Sequence, residues 1–384
     1  MKTIAVLTSG RQDWGILHST CVAIQGHDEL RLRLLIGGMH LSERHGYTVD
    51  LIRDDGFDGE TLDWLRQAGD GPEEPTAQAQ AAAALALVGD ALASDAPDAL
   101  LLVGDRLETA AAALAATVTR VPIAHLHGGE QTLGAFDDAL RHAVTKLSHL
   151  HLVSHEEHAR RVIALGENPS TVHVVGAPGL DAAVRSDLPD RAALEGDLGL
   201  ELRSPVVIVT VHPATLDDDP GAVADVVASA MDEIEATYVV TLPNVDPGAD
   251  HVRTVMTAAA ARPGRVAVDA LGERRYWGLM RIADAMLGNS SSALVEAPAV
   301  DLPAVDVGDR QAGRRREANV IGAPMDPGAV GAALRRALDP TFRATVVAAH
   351  PDLADGRAGA RVADIMAVWR PPHPPRKPPI QADG

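Results

Sequence analysis

The segment that begins at His125 carries the densest group of side chains able to move protons. His127 and Glu130 follow within the same turn-rich stretch, and the acidic pair Asp137-Asp138 comes shortly after. Carboxylates held close together acquire different pKa values, so that one can act as an acid while another acts as a base. We therefore interpret this segment as a candidate acid–base site; the alternative is a polar loop whose acids only cap the next helix.

A divalent metal ion is a rival interpretation of the same segment. His127 and Glu130 are both residue types that can ligate such an ion. The cationic side chains of Arg141 and Lys146 follow closely, and their charges would oppose a bound cation. We therefore predict that the segment holds no metal.

Other polar residues follow predicted strands of the first half of the chain. Arg11 stands in a turn before a predicted helix, a position that suits either a bound anion or a solvated capping loop. His40 follows the second predicted strand, and Asp105 with Arg106 follows the strand at residues 99–103. Ligands of parallel sheets bind beyond the carboxyl ends of the strands, so we expect these side chains at one site.

The second half offers groups that suit a phosphate. Residues 288–292 read Gly-Asn-Ser-Ser-Ser before a predicted helix, so Ser290 and Ser291 can present hydroxyl and backbone N–H groups to an anion. Glu296, about one turn into that helix, can accept hydrogen bonds from ribose hydroxyls. Further candidates after strands or in an arginine-rich loop are His212, Asn244 and Arg310.

Short apolar runs alternate with helical patterns, which predicts parallel sheets with right-handed crossovers. In the first half we predict strands at 4–8, 30–36, 99–103, 122–126 and 172–175, and helices at 13–25, 107–117 and 137–149. In the second half we predict strands at 205–211, 237–242, 266–268, 285–288 and 303–307. The pattern indicates an α/β protein with two doubly wound domains that face a cleft.

The strand pattern restarts after residues 176–189, which we take as a domain boundary. We predict a first domain at 1–180, carrying the carboxylate and histidine groups, and a nucleotide-binding domain at 181–355. Residues 356–370 are predicted to form a helix that packs back on the first domain. Residues 371–384 are rich in proline and are predicted to be disordered.

The composition excludes several classes of function. The chain has 384 residues and a net charge of −19, so a nucleic-acid backbone or an anionic membrane would be repelled. We find neither a signal-peptide pattern nor an apolar stretch long enough to span a bilayer, and we expect a cytoplasmic protein. Cys21 is the sole cysteine, which excludes an internal disulfide and a four-cysteine zinc site.

Together these groups indicate a nucleotide-linked substrate held in an interdomain cleft, with acids on one side and phosphate ligands on the other. In order and spacing the motifs resemble the UDP-N-acetylglucosamine 2-epimerases, and in particular the hydrolysing branch that supplies precursors of sialic and legionaminic acids. The resemblance covers about residues 3–325. The motifs that carry it include Arg11-Gln12-Asp13, Gly38-Met39-His40, Gly104-Asp105-Arg106, Gly128-Gly129-Glu130, Asp137-Asp138, Arg141-His142, His212-Pro213, Gly288-Asn289-Ser290-Ser291 and Asp309-Arg310-Gln311.

This resemblance implies a GT-B architecture, in which two Rossmann-like domains face a cleft. It also implies a reaction that needs no metal or nicotinamide. The proton at sugar carbon 2 is removed, the nucleoside diphosphate leaves carbon 1, and the glycal is hydrated to N-acetylmannosamine. By resemblance, Asp105 and Asp137 would transfer protons and His40 would line the sugar pocket. Residues implied to bind the rest of the substrate are Arg11, Arg106, Arg141, His212, Asn244, Ser290, Ser291, Glu296 and Arg310.

Several alternatives stay open at this point. Some branches of the family carry a glutamate where this chain has His127, so either Glu130 or His127 fills the third acid–base role. The sugar is N-acetylglucosamine on UDP, or a diacetamido-trideoxy sugar on UDP or GDP. A non-hydrolysing epimerase, a GT-B glycosyltransferase and a non-catalytic sensor are rival functions, which the carboxylate-rich segment disfavours to different degrees. The resemblance also suggests a homo-oligomer, either a dimer or a tetramer.

Overall fold

A computed structural model describes residues 1–69, 75–131, 137–213, 219, 221–243, 249–269, 271–348 and 354–377. The chain forms two compact units, one of Met1–Asp181 with Asp355–Gly384 and the other of Ala182–Ala354. Each unit carries a parallel sheet with helices, which confirms the predicted α/β class. Within the described ranges no helix is both long and apolar enough to cross a membrane.

The strands and helices alternate along most of the chain. The strands are β1 (Lys2–Thr8), β2 (Leu30–Gly37), β3 (Glu60–Leu62), β4 (Ala99–Val103), β5 (Ile123–Leu126), β6 (Leu150–Val153), β7 (Val172–Val174), β8 (Val206–Thr210), β9 (Thr237–Thr241), β10 (Arg265–Val268), β11 (Ala285–Gly288), β12 (Ala304–Val307) and β13 (Val320–Ala323). The helices are α1 (Arg11–Gln25), α2 (Val49–Asp54), α3 (Trp64–Ala68), α4 (Ala77–Ser94), α5 (Leu107–Thr119), α6 (Asp137–Leu147), α7 (Glu156–Ala164), α8 (Arg191–Leu198), α9 (Ala222–Asp232), α10 (Ala249–Ala260), α11 (Gly272–Ile282), α12 (Ser292–Val295), α13 (Pro327–Ala337), α14 (Pro340–Ala348) and α15 (Ala358–Val368).

In the described part of the first unit, the strands form a seven-stranded parallel sheet in the order β3-β2-β1-β4-β5-β6-β7. The central strands are buried along most of their length, because helices cover both faces of a parallel sheet. From β1 the chain builds outward in one direction, and from β4 it builds outward in the other. This reversal opens a crevice at the carboxyl ends of β1 and β4, where ligands of doubly wound sheets bind.

The last helix belongs to the first unit, where α15 packs on α1. The carboxylate of Asp181 accepts hydrogen bonds from the backbone N–H groups of Ala358 (3.0 Å) and Gly359 (2.7 Å), and so caps the start of α15. A Cβ at Gly359 would lie 2.6 Å from the backbone carbon of Ser19. The close contact between the two helices therefore requires glycine at this position.

The described strands of the second unit form a six-stranded parallel sheet in the order β10-β9-β8-β11-β12-β13. Here the order reverses between β8 and β11. Gly288 ends β11 with φ +140°, and a Cβ there would lie 2.0 Å from the carbonyl oxygen of Thr210. Only glycine allows the two strand ends to approach so closely, which brings the loop after Thr210 beside the loop after Gly288.

The sequence analysis missed three strands. It extended the helix that starts at Asp137 as far as residue 149, whereas α6 ends at Leu147 and β6 begins at Leu150. The polar His151 conceals β6 in the sequence, yet it is fully buried in the structure because Glu167 hydrogen bonds to it. The two other missed strands, β3 and β13, are short and lie at the edges of their sheets.

Four histidines of the first unit are held neutral by burial. Burial lowers the pKa of His40, His149 and His158 to about 4, and that of His125 to about 3. In an unfolded chain an imidazole takes up its proton near pH 6.5. Between pH 6.5 and about 4 the unfolded chain therefore binds more protons than the folded unit, so acidification favours unfolding in this window.

We expect the first unit to lose stability on acidification well before the second. For the fully buried His40 and His125, the loss is about 2 kcal/mol each between pH 6.5 and about pH 5. Urea unfolding at about pH 7.5 and pH 5, followed by a short deuterium pulse and mass spectrometry of peptides, reports on each unit separately. An equal fall of both urea midpoints would contradict this account.

Candidate active site

An ion pair joins the turn after β4 to helix α6. A guanidinium nitrogen of Arg141, Nη2, donates to Oδ2 of Asp105, and the Arg141 side chain is only 7% exposed. Gly104, which precedes Asp105, has φ +72° and lets the chain turn as it leaves β4. A guanidinium this deeply buried needs an anionic partner, so the pair fixes α6 against the end of β4.

The first residue of α6, Asp137, lies in the field of this ion pair. Burial raises the pKa of Asp137, and the negative charge of Asp105 raises it further, while Arg106 and Arg141 oppose both effects. Asp105 is bound to a guanidinium, whereas Asp137 is shifted toward its protonated form. Two neighbouring carboxylates in such different environments can divide proton acceptance and donation between them.

A second acid–base pair follows β5. Nδ1 of His127 lies 2.5 Å from Oε1 of Glu130, and the Ser154 hydroxyl donates to the same oxygen at 2.9 Å. Burial alone would raise the pKa of Glu130, but the hydrogen bond from His127, and the positive charge that His127 carries once it is protonated, hold this pKa well below its usual range. Within the described ranges, the buried Nε2 of His127 has no hydrogen-bond partner.

The turn between these two residues depends on glycine. Gly129 has φ +78°, and a Cβ there would lie 2.5 Å from the carbonyl oxygen of His158. His127 itself has φ +64°, a conformation that non-glycine residues rarely adopt and that is often found at functional sites. The backbone therefore holds His127 and Glu130 side by side at the end of β5.

The structure places His40 in the core of the first unit. It is fully buried, with Nε2 2.8 Å from the Thr8 hydroxyl and Nδ1 2.8 Å from the Thr48 hydroxyl. Both ring nitrogens are thus engaged by protein groups, and the ring ties the segment after β2 to the end of β1. A direct contact with a sugar, as the resemblance implies for His40, stays a prediction.

Of the two predicted arginines that follow strands β1 and β4, Arg11 and Arg106, only Arg106 is surrounded by acids. Its guanidinium lies 3.4 Å from Glu108, and the charges of Asp13 and Asp105 also act on it. Asp13 is itself buried and accepts hydrogen bonds from the backbone N–H and hydroxyl of Ser9. By contrast, Arg11 is exposed at the first residue of α1.

In the second unit, Asn289 joins the predicted phosphate-binding loops. Its side chain accepts from the backbone N–H of His212 and donates to the carbonyl of His212, both at 2.8 Å. Its own carbonyl accepts from Arg310 at 3.1 Å and from Gln311 at 2.9 Å. The sequence analysis quoted Asn289 and Gln311 within motifs but did not assign them a role, and both are buried residues that organise this site.

The chain after Asn289 carries three of the predicted ligand-binding residues, Ser290, Ser291 and Glu296. The buried Ser290 hydroxyl accepts from the backbone N–H of Ser292 at 3.3 Å, and Ser291 caps the short helix α12. Burial raises the pKa of Glu296, against opposing effects from Ser292 and Arg314. Tyr276, which the sequence analysis missed, lies near Ser292 and Thr210, and burial raises its pKa to about 12.

The predicted residues thus gather in two groups, one in each unit. Asp105, Arg106, Asp137, Arg141, His127 and Glu130 lie together at the carboxyl edge of the first sheet. His212, Ser290, Ser291, Glu296 and Arg310 lie at the corresponding edge of the second. Asn244 falls outside the residues that the structure describes.

This chain is similar to known proteins over most of its length. Residues 22–367 match the family model described as UDP-N-acetylglucosamine 2-epimerase. The polysialic acid biosynthesis protein P7 of Escherichia coli is 31% identical over 354 residues, 90% of this chain and 88% of that protein. The UDP-N,N'-diacetylbacillosamine 2-epimerase (hydrolyzing) of Legionella pneumophila is 31% identical over 348 residues, 88% of this chain and 89% of the relative.

The fold has a close match among solved structures. The crystal structure of UDP-GlcNAc 2-epimerase from Neisseria meningitidis bound to UDP-GlcNAc aligns with a TM-score of 0.78 at 16% identity, covering 95% of this chain and 99% of that one. The likeness in fold confirms the two-domain GT-B class predicted from the sequence. With most of its length matched by the family model and a relative 31% identical over 90% of it, this chain belongs to the UDP-N-acetylglucosamine 2-epimerase family.

Proposed function

We propose that the protein is a hydrolysing 2-epimerase that acts on a nucleotide-linked 2-acetamido sugar. The observation that carries the proposal is the pair of carboxylates Asp105 and Asp137, one bound to Arg141 and the other with a raised pKa. Inversion at a carbon that bears hydrogen needs a group that removes a proton and another that returns one. Two carboxylates in unlike environments meet that need.

The proposed reaction has two stages. In the first, a base takes the proton from carbon 2, and the bond between carbon 1 and the diphosphate oxygen breaks with its electron pair leaving on the diphosphate. The product is a glycal with a double bond between carbons 1 and 2. In the second, a base takes a proton from a water molecule as the water oxygen bonds to carbon 1, and an acid protonates carbon 2 on the face opposite to the one that lost its proton. The free 2-epimeric sugar and the nucleoside diphosphate result.

These stages need one proton donor and two proton acceptors. We assign donation to Asp137, because burial and the charge of Asp105 both raise its pKa. Asp105 is one acceptor, and the pair His127–Glu130 is the other. Because Glu130 accepts from Nδ1–H of His127, the lone pair on Nε2 is left to take a proton, as in other histidine–carboxylate pairs. In this assignment His127 contacts the reacting atoms and Glu130 orients it.

We assign the diphosphate to groups of the second unit. Ser290, Ser291 and Arg310 supply hydroxyl, N–H and guanidinium donors, which stabilise the negative charge that develops on the leaving group. Asn289 supports this assignment because it holds the loops of His212 and Arg310 together. Glu296, with its pKa raised by burial, is assigned to the ribose hydroxyls.

Two sugars are candidates. N-acetylglucosamine on UDP follows from the family as a whole. A diacetamido-trideoxy sugar is favoured by one specific observation, the 31% identity to the Legionella pneumophila protein named for UDP-N,N'-diacetylbacillosamine. A single pocket contact can decide between a hydroxyl and an acetamido group, so turnover of both substrates has to be compared.

Proton NMR in deuterated water tests the reaction directly. With UDP-N-acetylglucosamine, and with the UDP- and GDP-linked diacetamido sugars, we expect a free 2-epimeric sugar that carries deuterium at carbon 2, together with an equal amount of nucleoside diphosphate. A nucleotide-linked epimer would move the protein to the non-hydrolysing branch. Binding of all three substrates without any turnover would support a sensor instead.

Replacement of Asp105 separates catalysis from binding. We expect Asp105→Asn to lower kcat roughly 10³-fold, because the amide cannot accept a proton, while its oxygen still accepts from Arg141. The Kd for UDP, measured by calorimetry, should change by less than about threefold, since Asp105 has no assigned contact with the nucleotide. Asp90→Asn, at an exposed position of α4, is the matched control. Loss of UDP binding in a folded Asp105→Asn protein would make Asp105 a ligand contact.

A further inference from the structure

The C-terminal segment up to Lys377 contacts the helix that carries Asp137 and Arg141, although the sequence analysis predicts disorder from residue 371 onward. We propose that Lys377 is a positioning residue for helix α6, and through it for Asp137 and Arg141. The proposal rests on the function proposed above, because it concerns the efficiency of that reaction. It assigns a role to a part of the chain that lies beyond the residues matched by the family model, which end at 367.

Lys377 uses every hydrogen-bond donor that an ammonium group has. Its Nζ donates to the carbonyl oxygens of Lys146 at 2.7 Å and Thr145 at 3.2 Å, and to Oε2 of Glu167 at 2.6 Å. The two carbonyls belong to the last turn of α6, where backbone acceptors lack a partner within the helix. A cation at this end also opposes the negative end of the helix dipole.

The buried carboxylate of Glu167 is an acceptor that these contacts share. Its side chain is only 3% exposed, and it accepts from Lys146 at 2.7 Å and from Nε2 of His151 at 3.0 Å as well as from Lys377. Burial alone would raise the pKa of Glu167, but these three hydrogen bonds lower it to about 2. The carboxylate therefore stays charged, and it links the C-terminal segment, α6 and β6.

The last turn of α6 is in turn linked to Asp105. The Thr145 hydroxyl lies 3.2 Å from Nδ1 of the fully buried His125, whose Nε2 lies 2.8 Å from the carbonyl of Gly104. Gly104 directly precedes Asp105, and Arg141 pairs with Asp105 one turn earlier on α6. Helix α6 is thus held by Arg141, by Thr145 and, at the end farthest from Asp137, by the contacts of Lys146 and Lys377.

Three variants test the proposal, each assayed for hydrogen exchange without substrate and for steady-state kinetics. In Lys377→Ala we expect the amides of the last turn of α6 to exchange about tenfold faster, with α5 unchanged as an internal reference. We expect kcat to fall about tenfold and KM to change less than about twofold, because misplaced acid–base groups slow the chemical step. Lys377→Arg, which keeps the cation and its donors, should recover at least half of kcat. Arg376→Ala removes an exposed neighbouring charge and should match the wild type.

Three results would overturn the proposal. Unchanged exchange in α6 of Lys377→Ala would show that Lys377 does not hold the helix. Faster exchange with unchanged kcat would show that the contact is structural only. Hydrogen exchange is measured without substrate. A wild-type protein that turns over no sugar would therefore refute the proposed function, and the exchange data would still show whether Lys377 holds α6. Faster exchange in both α5 and α6 would mean general destabilisation and would also count against it.

Discussion

The ion pair between Asp105 and Arg141 is the constraint on which the first unit's site depends. Arg141 is nearly buried, and a buried guanidinium without an anion would cost several kcal/mol. Helix α6 must therefore lie against the turn after β4. As a consequence, Asp137 at the start of α6 is placed in the field of Asp105, and its pKa rises. Burial is the larger cause of this rise, and Asp105 adds to it while Arg106 and Arg141 oppose it.

In the second unit, the amide side chain of Asn289 positions the loops of the candidate site. The close approach of Gly288 to Thr210 aligns two strand ends. The Asn289 side chain then accepts from the backbone N–H of His212 and donates to the carbonyl of His212. Hydrogen bonds to the side chain and the carbonyl of Asn289 hold these loops, including one from Arg310. The guanidinium of Arg310 and the hydroxyl groups of Ser290 and Ser291 lie beside these loops, and donors of this kind suit the leaving diphosphate proposed above.

Residues placed directly at strand ends could be predicted from the sequence, because parallel strands bring their carboxyl ends to one edge. Asp105 and Glu130, which follow β4 and β5, are of this kind. Glu167 and Lys377 could not be predicted in this way, since their contact joins segments that are distant in the chain and neither follows a predicted strand. The sequence analysis missed strand β6 for a related reason. His151 is a polar residue, and its burial depends on a hydrogen bond with Glu167 that the sequence does not reveal.

The central claim is that Asp137 owes part of its raised pKa to Asp105, and a carboxyl titration tests it most directly. Carbon-13 NMR of aspartate-labelled protein, with Asp137→Asn to assign the signal, follows this group in the wild type and in Asp105→Asn. The account predicts a pKa for Asp137 above its ordinary value of 3.8 in the wild type, and a lower pKa once Asp105 is neutral. An Asp137 that titrates at its ordinary value in both proteins would contradict it.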